Sequence, residues 1–261
     1  MKFAKSACID AMYTELPFIE RIVAAKKDGF EYIEFWGWPD KNIDEIKKIV
    51  QEVNIGISGF NGDAELSLID PEQKKDYLAY LSASIEVAKK LGSKAITIHS
   101  NGLGDQGIVI DDYINLSTTV KTCAMFDTLL TCAELAEKNN IQMNLEPLNI
   151  KHDHVGNYLA TTKMAAEMTR LINSPKLKVL YDIYHMQINE GDICVNLSEF
   201  IDQIGHIHVA DNPGRHEPGT GEINYKFVFE YLEKIGYKGI IGYELFPETT
   251  TAKAVKAIMS Y

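Results

Sequence analysis

Short runs rich in β-branched and aromatic residues alternate eight times with longer amphipathic ones, at intervals of roughly thirty residues. Strand–helix repetition of this kind leads to a parallel sheet covered by helices. The predicted strands are 3–9, 30–35, 55–60, 95–99, 141–145, 177–181, 205–209 and 239–243. The predicted helices are 17–27, 43–53, 71–91, 111–138, 160–172, 197–204, 225–235 and 250–259. Each strand reads as mostly apolar on both faces, as expected of strands buried under helices.

Two closures of such a sheet compete, an open doubly wound sheet and a (β/α)8 TIM barrel. An open sheet holding a nucleotide needs a glycine-rich turn after its first strand, and residues 10–16, DAMYTEL, contain no glycine. Eight repeats in 261 residues match a barrel, which commonly occupies about 250. Nothing resembling a linker or a low-complexity stretch divides the chain, so residues 1–261 are read as one (β/α)8 barrel domain.

A net charge of −11 argues against nucleic acid as a partner, because phosphate backbones are bound by basic surfaces. No window approaches the roughly eighteen apolar residues of a membrane helix. The basic start, MKFAKSACID, lacks the apolar core of a secretory signal. Cys8, Cys123, Cys132 and Cys194 form no CxxC pair. These features together predict a reduced, cytoplasmic protein. The aromatic residues Phe227, Phe229 and Tyr231 are candidates for either core or a homo-oligomer interface.

Barrel enzymes carry their chemistry at the carboxyl ends of the strands. Strand five ends in Glu146, strand six in Asp182, strand seven in His206 and His208, and strand eight in Glu244. The two histidines alternate along one strand and share a face, so spacing alone does not choose between them. Three carboxylates converging on one mouth repel one another unless positive charge lies between them. One divalent metal ion is the economical answer. Two glutamates, an aspartate and an imidazole suit Mn²⁺ or Mg²⁺, with Co²⁺, Ni²⁺ or Zn²⁺ also admissible.

Other polar residues have weaker claims. His185 follows Asp182 by three residues, His99 ends strand four, and His152, Asp153 and His154 form a cluster whose default is a solvated loop. Trp36 and Trp38 follow strand two, either as an apolar pocket wall or as packing at the barrel's edge. The glycine- and proline-rich loop 212–221 has the composition of a segment that closes over a pocket.

Four stretches, NLEPLN (144–149), DIYHMQINEGD (182–192), GHIHVADNPGRHEPGTGEINY (205–225) and IIGYELFP (240–247), make the chain resemble the sugar isomerase/epimerase superfamily of xylose isomerase-like barrels. Within that superfamily it is most similar to the hydroxypyruvate isomerases. The resemblance spans the whole chain and is strongest in its second half. It implies Glu146, Asp182, His208 and Glu244 as metal ligands, with Glu146 and Glu244 also catalytic proton carriers, and His185 and Arg215 as substrate-binding residues. It implies too an aldose–ketose isomerase acting through an enediolate on a small sugar or hydroxy-keto acid, the alternative being a ketose 3-epimerase acting on free sugars. Three positions depart from the pattern. His208 stands where hydroxypyruvate isomerases tend to carry Gln, Ile150-Lys151 where they carry Arg, and His152 where the 3-epimerases carry a further Glu. A non-enzymatic binding barrel is the bland alternative, and a DNA-repair endonuclease would want a basic surface that this chain lacks.

Overall fold

The computed structural model describes residues 3–261. Its eight strands are β1 (Lys5–Cys8), β2 (Tyr32–Phe35), β3 (Gly56–Phe60), β4 (Ala95–Ile98), β5 (Gln142–Leu145), β6 (Leu177–Asp182), β7 (Ile204–Val209) and β8 (Ile241–Tyr243). They hydrogen-bond in the order β3-β2-β1-β8-β7-β6-β5-β4, with every ladder parallel. Between β3 and β4 the ring is drawn together by two backbone bonds, Lys94 N to Ile57 O (3.0 Å) and Gly62 N to Thr97 O (2.9 Å). This is the barrel expected from the eightfold alternation.

The helices around it are α1 (Phe18–Lys27), α2 (Ile43–Glu52), α3 (Lys74–Leu91), α4 (Thr118–Asn139), α5 (Thr162–Ile172), α6 (Ile183–Asn189), α7 (Ile193–Phe200), α8 (Tyr225–Lys234) and α9 (Thr251–Met259). Asn42, Ser117, Thr161, Asn224 and Thr250 each accept a backbone N–H at a helix start, meeting a donor that has no partner within the helix. The apolar core fills the layer between ring and helices: Ile33, Ile57, Ile96, Val179, Ile207 and Ile241 point outward from their strands onto the helical faces.

Three expectations need correction. The strands are uniformly apolar only on that outer face; the inner face also carries Ser6, Glu34, Ser58, Asn144 and His206, all buried and hydrogen-bonded to one another or to neighbours. Polar residues can occupy the bore because each finds a partner there. The helix predicted at 197–204 instead spans Ile193–Phe200, and α6 precedes it unanticipated, since seven residues are too few to show a 3.6-residue period. The helix predicted from 111 begins at Thr118, where Ser117 caps it.

A bulge between β6 and β7 sets which side chains meet at the top of the barrel. Val179 pairs with Ile204 but Leu180 pairs with His206, so Gly205 is an extra residue on β7. Beyond this bulge Asp182 stands beside His208. A Cβ on Gly205 would fall 2.6 Å from Lys178 Cβ, so the bulge requires glycine. Among the described residues no helix is long and apolar enough to cross a membrane.

Candidate metal centre at the mouth of the barrel

Glu146, Asp182, His208 and Glu244 each offer one ligand atom, and these atoms lie within 4.8 Å of one another. From His208 Nδ1 the separations are 3.9 Å to Glu146 Oε1, 3.9 Å to Asp182 Oδ2 and 3.4 Å to Glu244 Oε2. Ligands placed about 2.1 Å from an octahedral ion stand roughly 3.0 to 4.2 Å apart, and these spacings fall in that range.

Glu146, Asp182 and His208 are each held on one side and bare on the other, while Glu244 is bonded at both oxygens. Asp182 Oδ1 caps α6, accepting the N–H groups of Tyr184 (2.8 Å) and His185 (3.2 Å). Glu146 Oε2 faces His99 Nε2 at 3.2 Å. Glu244 Oε1 accepts the indole N–H of Trp36. His208 Nε2 lies 3.4 Å from Glu34 Oε1, whose other oxygen is 3.1 Å from His206 Nε2. The atoms left over, Glu146 Oε1, Asp182 Oδ2 and His208 Nδ1, are buried and have no hydrogen-bond partner. Buried polar atoms are rarely left so, and a shared cation satisfies all three together. The donor set therefore fits a divalent ion.

Charge in the cluster is balanced from two directions. Burial pushes the Asp182 carboxyl up to about 7, with Glu146 and Glu244 adding to the rise against Arg215 and His208. Burial acts the same way on Glu244, but Arg215 and His208 outweigh it and hold that carboxyl well below its usual range. Burial lowers the His208 imidazole, while Glu34 and Glu244 more than reverse the effect. On the far side of Glu146, His99 sits against Asp63 with its Nδ1 3.2 Å from Oδ2. Burial would lower His99, yet Asp63 and Glu146 raise it to about 10.

Arg215 comes from the loop after β7. Its backbone is left-handed (φ 57°), its carbonyl accepts Phe246 N–H at 2.9 Å, and its guanidinium lies over the Tyr184 ring. The Nη2 atom reaches Glu244 Oε2 at 2.5 Å and Asp182 Oδ2 at 3.7 Å. Asp211 ties this loop down by accepting the N–H groups of Asn212, Gly219 and Ile223. His185 is on α6 and fully buried, with Nε2 3.6 Å from Asp182 Oδ2. Burial, then Arg215, drives its imidazole well below the ordinary value.

The remaining sequence candidates divide. His206 points into the bore but meets Glu34 rather than the cage. His99 joins the site through Glu146. Trp36 does so through Glu244, whereas Trp38 donates to Ser84 Oγ and packs on Tyr80 at the edge. His152 is exposed, as a loop histidine should be. His154 is not: it is buried, its Nδ1 is 2.7 Å from Gly107 O, and its ring stands edge-on to His185. Its burial comes from the turn at Asp105–Gly107, which arrives from a different loop. The Lys151 ammonium is engaged with Ile188 O at 2.6 Å, at the end of α6. Phe229 belongs to the core, while Phe227 is exposed and stacks on Tyr231. Sequence reasoning missed Glu34 and Asp63, which lie in no motif, and gave Asn149 no role.

Residues 22–261 match the model of the xylose isomerase-like TIM barrel family. The hydroxypyruvate isomerase of Escherichia coli strain K12 is 30% identical over 264 residues, which cover 98% of this chain and 98% of that one. A 2-oxo-tetronate isomerase of Cupriavidus necator is 28% identical, over 98% of this chain and 97% of its own. Among solved structures, the family 2 AP endonuclease from Brucella melitensis superposes with a TM-score of 0.90 at 23% identity, over 100% of this chain and 99% of the other, and so shares the fold. The chain is a member of the xylose isomerase-like TIM barrel family.

Proposed function

We propose that this protein is a divalent-metal-dependent isomerase that interconverts the aldose and ketose forms of a small hydroxycarbonyl compound, with hydroxypyruvate or a short sugar acid as the first substrates to test. The observation that carries the reading is the set of three bare, buried ligand atoms beside Glu244, each backed by its own partner. Similarity to isomerases that act on hydroxypyruvate and 2-oxo-tetronate supports the substrate class.

In this reading Glu146, Asp182, His208 and Glu244 hold the ion, with Mn²⁺ or Mg²⁺ best suited to the three carboxylates and Co²⁺, Ni²⁺ or Zn²⁺ also compatible. The ion supplies Lewis acidity toward the carbonyl and hydroxyl oxygens of the substrate. One of the two glutamates takes the proton from the hydroxyl-bearing carbon, leaving an enediolate. The other, protonated beforehand, delivers its proton to the neighbouring carbon, while the hydroxyl hydrogen passes to the former carbonyl oxygen; exchange with solvent then takes the proton from the first glutamate and returns one to the second. His185 and Arg215 orient the substrate's oxygens at the cage.

A second reading, a ketose 3-epimerase, is favoured by the imidazole of His208 in the cage and requires both proton transfers at one carbon. A panel of two- to six-carbon hydroxycarbonyl compounds separates the two, because an epimerase returns a ketose altered at its third carbon. Glu146→Gln and Glu244→Gln should each abolish turnover, as should a chelator. Full activity in both variants would remove the glutamates from the mechanism.

A further inference from the structure

Asn149, two residues into the loop after the Glu146-Pro147 pair, has only one admissible amide orientation. Its Oδ1 accepts the backbone N–H groups of His152 and Asp153, both at 3.1 Å, and its Nδ2 donates to Asp153 Oδ2 at 2.6 Å. Turning the amide over would set its oxygen against a carboxylate and its hydrogens against two N–H groups. The same Nδ2 lies 2.7 Å from His185 Nδ1. An amide NH2 cannot accept, so Nδ1 of His185 must, and the ring hydrogen sits on Nε2. His154 and Tyr184, with ring centroids 5.0 and 5.4 Å from that of His185, hold the imidazole in its plane.

The consequence falls at the cage. His185 Nε2 is 3.4 Å from Arg215 Nη2, but both are donors and neither can accept from the other. Each lies near Asp182 Oδ2, at 3.6 and 3.7 Å. Arg215 also has a buried Nε with no partner. Two donors brought this close and unable to bond each other are arranged for a third group, an oxygen that arrives beside the carboxylates.

We propose that Asn149 is a positioning residue that fixes His185 in its Nε2–H form, so that His185 and Arg215 together offer N–H groups to one substrate oxygen beside the cage. That oxygen is the one that gains negative charge as the enediolate forms, and donors aimed at developing charge are where electrostatic catalysis is strongest. The opposite tautomer would let His185 accept from Arg215, closing the two residues on each other. The inference rests on the isomerase reading for the identity of the oxygen, but the tautomer itself is independent of any reaction.

The test uses the full-length protein labelled with ¹⁵N-histidine, free of metal and substrate, with the His185 ring resonances identified by their loss in H185Q. Long-range ¹H–¹⁵N spectra should show the Nε2–H tautomer. In the double variant N149D/D153N the two side chains exchange chemistry: the carboxylate now at position 149 keeps an acceptor for the loop N–H groups, the amide now at position 153 donates to it, and His185 Nδ1 meets a carboxylate. The ring hydrogen should move to Nδ1, and kcat should fall about 10²-fold with a smaller change in KM, the cost typical of losing one such donor. D153N alone keeps the Asn149 amide and should keep the Nε2–H form. If the double variant does not fold, N149A should show a mixture of tautomers. An Nδ1–H ring in the wild type, or an unmoved hydrogen in the double variant, overturns the proposal. So does a switched tautomer with unchanged kcat. Expected tautomers in a protein that turns over no hydroxycarbonyl compound overturn the isomerase reading and, with it, the donor role.

Discussion

Trp36 donates its indole N–H to Glu244, across 208 residues of sequence. The contact joins the end of β2 to the end of β8 and takes up one carboxylate oxygen, so that the oxygen facing the cage is Oε2, which Arg215 also reaches. A tryptophan in this place reads first as an apolar wall, and it also packs against Phe246.

Trp36→Phe separates the two roles, because it keeps the ring and removes the donor. A hydrogen bond to a charged group contributes about 1.5–3 kcal/mol, so losing it should lower kcat at least about tenfold while the fold is retained. Steady-state kinetics on the folded variant is the check. A Trp36→Phe enzyme with wild-type kcat would leave Trp36 as wall only.

Metal should stabilise the folded chain, because the four ligands are brought together only by the closed ring. An ion present at about 100 times its Kd adds roughly 2.7 kcal/mol, which for a chain of this size is roughly 5–10 °C in Tm. Thermal melts of chelator-treated protein with and without added Mn²⁺, Mg²⁺, Co²⁺ or Zn²⁺ measure this directly. Glu146→Gln should abolish most of the shift. If no divalent ion raises Tm, the bare atoms of Glu146, Asp182 and His208 are not a cation site.

Gly242 stands between the cage and the layer beneath it. A Cβ there would fall 2.3 Å from Glu34 Oε1, 2.7 Å from His208 Cδ2 and 2.8 Å from His206 Nε2. Glycine is therefore what permits Glu34 to reach both histidines. Gly242→Ala should cost about 1–3 kcal/mol in chemical denaturation, the usual penalty for overfilling a packed interior, and should weaken metal binding by displacing His208. A variant with unchanged stability and metal affinity would mean that Glu34 does not orient His208.

The parts of this site that were legible are those in which one strand end speaks for itself. Glu146, Asp182 and Glu244 are acids directly after apolar runs, and the barrel rule turns three such positions into one cluster. His206 and His208 share a face and were inseparable on spacing; their difference is depth, with His206 level with Glu34 and His208 level with the carboxylates. Glu34 and Asp63 were invisible because their partners lie 172 and 36 residues away, and only the closed ring sets those distances. Asn149 closes the NLEPLN stretch without betraying a function, since an amide declares a role only through the groups around it. His154 was misjudged for a related reason, because the turn that buries it belongs to another loop.

Away from the cage, Glu190 offers a test of how burial and hydrogen bonding compete at a helix junction. Its carboxylate accepts the N–H of Thr162 at 2.9 Å and the hydroxyl of Thr162 at 2.8 Å, at the start of α5. Burial raises its pKa and the two bonds from Thr162 lower it, with burial prevailing. A carboxyl whose pKa is raised on folding binds its proton more tightly in the folded state. Its contribution to stability is therefore most favourable below the unfolded value of about 4.3, and declines as pH rises through the folded value. Glu190→Gln removes that dependence while keeping an acceptor for Thr162. Measured from about pH 4 to 8, the Tm of the wild type should fall relative to that of Glu190→Gln toward neutral pH. A wild type that instead gains on the variant as pH rises would show that the Thr162 bonds and the positive end of α5 outweigh the loss of water around the carboxylate.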